Sequence, residues 1–163
     1  MANGRLYVVQ NQLSMIRTGD LLIAAVNRKP ITASVWNEYL DTLAVLARNE
    51  GAASGGLQYT LDHGPNAEQR KALSLREDEL GMDKLRRVAI VSDSILVRGA
   101  VTAMSWMIKS SAQTKLNSFK PADYASAFRW LGEQVTFDES QANTAFQQAL
   151  RAVGLEPEVA AKR

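Results

Sequence analysis

The chain is expected to fold as an α/β domain. Its mixed sheet opens with an antiparallel hairpin, continues as βαβ units, and carries four to five helices. Three observations lead there. Short runs rich in β-formers alternate with longer stretches of helical period, the pattern of a sheet with parallel pairs. The first two strong β-runs are separated only by Thr18-Gly19-Asp20, too short a link for a parallel crossover. Residues 87–109 read as a buried strand, a polar turn and an amphipathic helix in direct succession.

In chain order, Leu6-Tyr7-Val8-Val9 is a short strand, and Ser14-Met15-Ile16-Arg17 continues it or forms a strand of its own. Residues 21–27 return antiparallel to it. Thr32 or Ser34 caps the first long helix, whose apolar stripe is Trp36, Tyr39, Leu40, Leu43 and Leu46, and Gly51 ends it. Residues 57–61 alternate as a strand. Asn66 with Gln69 three positions on resembles a capping box, and the helix that follows is expected to turn Ala72, Leu73 and Leu75 inward.

Val88-Ala89-Ile90-Val91 is the central strand. Ser92-Asp93-Ser94 is cap chemistry, and Val97, Ala100, Val101, Met104 and Ile108 recur at helical spacing. Residues 113–119 form a last, edge-like strand. Pro121 suits the first turn of a helix that buries Tyr124, Ala127, Phe128 and Leu131 and stops at Gly132. Asp138 with Gln141 caps a final helix carrying Ala142, Ala145, Phe146, Ala149, Leu150 and Val153. Gly154 and Pro157 end it, and the tail frays. Residues 1–135 form the domain, and residues 136–163 are its helical extension and tail.

At 163 residues the chain fits one domain that buries roughly 70% of its unfolded surface. The net charge of +2 spreads over pairs rather than a basic, aromatic-interleaved face, so no nucleic-acid partner is expected. No apolar run is long enough for a transmembrane segment, and the first residues lack signal-peptide organisation. The absence of cysteine excludes thiol chemistry and fits a cytoplasmic location. One histidine and no cysteine argue against zinc, and no metal or cofactor is expected.

Four stretches stand out together: PITASVWNEYL from Pro30, GPNAEQRK from Gly64, VAIVSDSILVRGAVT from Val88 with Trp106, and Phe119-Lys120-Pro121 leading to Trp130-Leu131-Gly132. With them the chain resembles the small bacterial STAS-like proteins of the SpoIIAA-like, STAS/SEC14 type. The resemblance spans roughly residues 5–133. It implies a mixed sheet with helices packed on it and a role in protein interaction and signalling. The Sec14-like side of the group brings lipid contact at a membrane periphery into view. In phosphorylated relatives the acceptor serine follows the first strand after helix one. Here that place holds Asp62-His63-Gly64-Pro65-Asn66, so the switch is not transferred to Ser94.

The candidate ligand or anion site is Asp62, His63, Asn66, Ser92, Ser94 and Arg98, at the carboxyl ends of strands and the start of a helix. For Ser92 and Ser94 the simpler reading is capping. Arg98 reads as an exposed arginine, with Gly99 permitting close helix–sheet packing, and His63 as a loop residue. Glu77-Asp78-Glu79 with Asp83 reads as a solvated helix end, without the register of a calcium loop. Trp106 and Met107 lie off the inward stripe and form a candidate partner surface. The preferred expectation is a non-enzymatic interaction or regulatory module with a protein partner or self-association. A small-anion, nucleotide or lipid-binding module is the alternative. A serine hydrolase using Ser94 and His63 is third, without a G-x-S-x-G elbow to support it.

Overall fold

The computed structural model describes residues 4–62, 64–81, 87–108 and 115–156; of residues 103–108 it describes the backbone alone. It shows an α/β fold with six strands in one mixed sheet, in the order β1-β2-β3-β4-β5-β6. Strands β1 (Leu6–Val9), β2 (Leu13–Thr18) and β3 (Leu21–Val26) form an antiparallel meander. The segment after Leu6 therefore makes two strands rather than one. Gln10 and Asn11 both take positive φ between β1 and β2, and Gln12 N donates to Val9 O, the backbone of a tight hairpin turn. The β2–β3 turn needs Gly19, at φ +53°, because a Cβ there would lie 2.8 Å from Thr136 O.

Strands β4 (Gly55–Tyr59), β5 (Arg87–Val91) and β6 (Lys115–Phe119) add parallel to β3 in sequence order. Three crossover helices connect them: α1 (Ala33–Glu50), α2 (Ala67–Glu79) and α3 (Ile95–Ile108). All three crossovers step the same way along the sheet, so right-handed connections put these helices on one face. A short 3₁₀ turn, Pro121–Asp123, leads into α4 (Tyr124–Gly132), and α5 (Glu139–Ala152) follows.

The alternation of side chains divides the core in two. Leu13, Met15, Leu22 and Ala24 face Val35, Trp36, Leu40 and Leu43 of α1. On the other face Ile16, Ile23, Leu57, Tyr59, Ala89 and Val91 meet α4 and α5. Here Phe146 packs against Tyr59, Tyr124 and Phe128, with ring centroids 5.3–5.9 Å apart. The last helix thus packs in cis, and Ser14 Oγ donates to Ala149 O at 2.7 Å to tie it to β2.

The caps fall where their residue types place them. Thr32 accepts from Val35 N, Asn66 and Gln69 complete a reciprocal capping box, and Asp138 accepts from Gln141 N. Four expectations are corrected. Leu75 is exposed, because α2 has no fully buried side chain and rests on α1 through Ala72, Leu73 and, just past its end, Leu80, with Glu77 partly buried rather than wholly solvated. Ala100 is exposed rather than inward, since α3 turns Val101 to the protein. Gly99 is exposed too, with no atom within 4 Å of a Cβ placed there, so close packing does not explain it.

Candidate functional site

Parallel pairing aligns Ala25, Tyr59 and Val91 across β3, β4 and β5. Three residues beyond that row, at the carboxyl ends of the strands, stand Arg28, Asp62 and Ser94. Arg28 Nη1 donates to both carboxylate oxygens of Asp62 at 2.7 Å, and its Nη2 lies 3.9 Å from Asp93. The Asp62 hydrogen bond, then its charge, raises the Arg28 guanidinium above its ordinary pKa. Both side chains are about half exposed, so solvent screens the pair and it fixes loop positions more than it stabilises the fold.

Ser92 is fully buried. Its Oγ donates to Leu61 O at 2.9 Å and accepts from Ser94 N at 3.2 Å, which joins the loops after β4 and β5. Ser94 Oγ accepts from Val97 N at 3.2 Å and caps α3. Arg98 Nη1 donates to Ser92 O at 2.7 Å. It is half-buried and folded back on its own loop, not held out to solvent. Asn66 is occupied by its capping box.

The fold therefore brings Asp62, Ser92, Ser94 and Arg98 to one end of the sheet; hydrogen bonds join Ser92 to Ser94 and Arg98, while Asp62 is bonded to Arg28. Asn66 stands at the start of α2. His63 lies outside the described residues, as do the side chains of Trp106 and Met107 on α3. Sequence reasoning missed Arg28, although it stands in the loop after β3 level with Asp62 in the loop after β4.

Chemically, the cluster is balanced. Two carboxylates, Asp62 and Asp93, and two guanidiniums, Arg28 and Arg98, share this end of the sheet, and each guanidinium already donates to a protein oxygen. Such a group does not concentrate positive charge as an anion site would. A serine nucleophile needs an accessible Oγ beside a base. Ser92 Oγ is buried with its proton on Leu61 O, and Ser94 Oγ is taken up by a cap.

Beside this network the surface becomes apolar. Ile95 is 78% exposed and Leu96 85% exposed, at the first two positions of α3. Gly99 and Ala100 extend the uncovered strip by one turn. Ile95 points about 140° away from the middle of the Val97–Val101 side of the helix, from about 100° per residue. That offset was readable in the sequence: two large aliphatic residues follow a cap and lie off the inward stripe. Among the described residues, no three His, Cys, Asp or Glu side chains group to hold a metal ion, and no helix is long and apolar enough to cross a membrane.

Comparisons with protein-family models, curated proteins and solved structures yield no match to this chain.

Proposed function

We propose that the protein is a non-enzymatic, cytoplasmic, STAS-like interaction module, and that it docks a protein partner on the start of α3. The observation that carries this reading is the exposure of Ile95 and Leu96 side by side, 78% and 85%, on an otherwise folded helix. Large aliphatic side chains gain by leaving water, and adjacent exposed ones with an apolar turn behind them form a contact patch rather than scattered surface residues. The paired charges of Arg28, Asp62 and Asp93 stand just before the patch, as a polar rim borders a protein interface. The STAS-like reading rests on the residue stretches that resemble that group and on the mixed sheet with crossover helices that the resemblance implies.

The test is quantitative co-purification from the native host with wild-type protein and an Ile95→Ser, Leu96→Ser double variant. Full burial of such a side chain stabilises by about 1.5–3 kcal/mol. The double variant is expected to weaken partner binding by roughly 100-fold, equivalent to about 3 kcal/mol. Its folding stability should stay within about 0.5 kcal/mol of wild type, since neither side chain is buried in the free protein. Equal recovery of the same partner by both proteins would refute the reading.

A further inference from the structure

A second interaction surface lies at the β1 edge of the sheet, opposite the β6 edge and independent of the α3 surface. We infer that two copies of this chain pair along β1, antiparallel about a two-fold axis at Tyr7, and join their sheets into one.

β1 pairs with β2 on one side and with no strand among the described residues on the other. Gln12 N donates to Val9 O, so the backbone groups of Val9 turn toward β2. Alternation turns those of Tyr7 inward as well and leaves the N–H and C=O of Leu6 and Val8 facing outward. Arg5 N already donates to Glu50 Oε1 at 3.2 Å, so the open stretch begins at Leu6. An edge of this kind templates a further strand unless charge, proline or a cover blunts it. β1 reads LYVV, without charge or proline, and Val8 is 41% exposed.

The flank of α1 beside this edge says which strand fits. Gln10 Nε2 donates to Ser34 Oγ and Glu38 Oε2, and Asn49 Nδ2 donates to Tyr7 Oη, so these α1 residues stand over β1. At about 100° per residue they span a strip of about 60°, and Val45, 37% exposed, falls within it. Each of the two elements at this edge therefore leaves a valine in water. The charges are complementary under a two-fold. Arg5 stands at the amino end of β1, over the Tyr7 ring, and Glu38 stands beside the carboxyl end. Both are exposed, and neither forms an ion pair among the described residues. Lying at opposite ends of the strand, they do not meet within one chain. An antiparallel second copy reverses the ends and brings Arg5 of each chain to the Glu38 end of the other.

The outward groups choose the register. Centring the pair on Tyr7 sets Leu6 opposite Val8 of the second copy, twice, so every outward N–H and C=O of both strands finds a partner. Centring it on Val8 would set Leu6 against Gln10, whose φ of +48° has left the strand. In the Tyr7 register Val8 packs on Leu6 of the other copy and leaves water, and the two α1 flanks lie alongside each other on one face.

The chain has no cysteine, so single substitutions read this register directly. Across a two-fold at Tyr7 the paired Cα atoms stand about 4.5 Å apart, within disulfide reach, while the two Val8 Cα atoms stand about 8 Å apart and beyond it. Mild oxidation of Tyr7→Cys should give a disulfide-linked dimer, and Val8→Cys should give none. The unsubstituted full chain should show a monomer–dimer equilibrium in sedimentation, with a Kd of about 10–100 μM, as suits a small interface. Val8→Pro should raise that Kd at least about tenfold with little change in Tm, because an edge strand tolerates proline where its N–H faces outward. Arg5→Glu should raise it several-fold, and adding Glu38→Arg should restore it. A wild type that stays monomeric at about 1 mM, a Val8→Pro protein as dimeric as wild type, or crosslinking at position 8 in place of position 7 would overturn the proposal. So would loss of the dimer in the Ile95→Ser, Leu96→Ser variant, which would move the contact to α3.

Discussion

Removing one buried hydroxyl should loosen the last helix from the sheet. Ser14 is 0% exposed, and its Oγ donates to Ala149 O at 2.7 Å, joining positions 135 apart in the chain. Ser14→Ala removes little volume, so the cavity contribution is small. What it does is leave a carbonyl in the last turn of α5, among Ala145, Phe146 and Leu150, without this donor. The net value of a neutral hydrogen bond is about 1 kcal/mol, and an acceptor left dry costs about 1–3 kcal/mol. A loss of about 2 kcal/mol follows, which for a domain of this size lowers Tm by roughly 4–8 °C. Thr42→Ala is the matched control. Thr42 Oγ1 makes the same kind of bond, 2.7 Å to Glu38 O, but it is exposed. Water replaces it, and the cost should stay under about 0.5 kcal/mol. The assay is urea unfolding of both variants beside wild type. If Ser14→Ala loses no more stability than Thr42→Ala, the view of α5 as tethered to β2 from within the core is wrong.

Other perturbations follow from the same packing. A Cβ at Gly55 would stand 2.6 Å from Val135 Cγ2, so Gly55→Ala should cost about 1–3 kcal/mol in thermal unfolding, and Val135→Ala should recover part of it. Burial, aided by the neighbouring Asp78 charge, pushes the Glu77 carboxyl up to about 7 from its ordinary 4.5. A raised acid pKa means the folded protein holds the proton more tightly. The contribution of Glu77 to stability should therefore be full below pH 4.5, fall as pH rises to about 7, and level off above, by up to about 3 kcal/mol. Glu77→Gln should remove that slope and exceed wild type at pH 8 in urea titrations across this range. Arg17 donates to the carbonyls of Gly19, Glu50 and Gly51 and pairs with Asp20, so Arg17→Met should cost about 3 kcal/mol and unfold at lower urea.

The elements were largely legible in the sequence because each is set by local signals. Thr32, Asn66 with Gln69, and Asp138 announce helix starts through side chains that reach only three residues ahead. The runs of β3 and β5, and the apolar stripes of α1 and α5, carry the two periods directly. Errors came where tertiary contact decides the outcome. Leu75 fits a helical stripe, yet α2 lies on α1 as a shallow outer helix and leaves it in water. Ala100 fits a stripe as well, but its helix rotates so that Val101 is the covered residue. The site was legible in part. Ser92 and Ser94 stand at the strand end as read from the sequence; Ser94 caps α3, whereas Ser92 ties the loop after β5 to Leu61 instead of capping the helix. Arg28 was invisible because its partners stand 34 and 65 positions away, and only the parallel register aligns them.

The most direct test of the central claim is site-specific photo-crosslinking in the native host, with a photoreactive side chain at position 96 and, separately, at position 75. Leu96 and Leu75 are both exposed, on α3 and α2 respectively, so the pair separates a contact patch from general surface. The expected result is a discrete, light-dependent adduct to one protein partner, or to a second copy of this chain, at position 96 and none at position 75. No adduct at position 96, or the same mixture of adducts at both positions, would contradict a docking role for the start of α3.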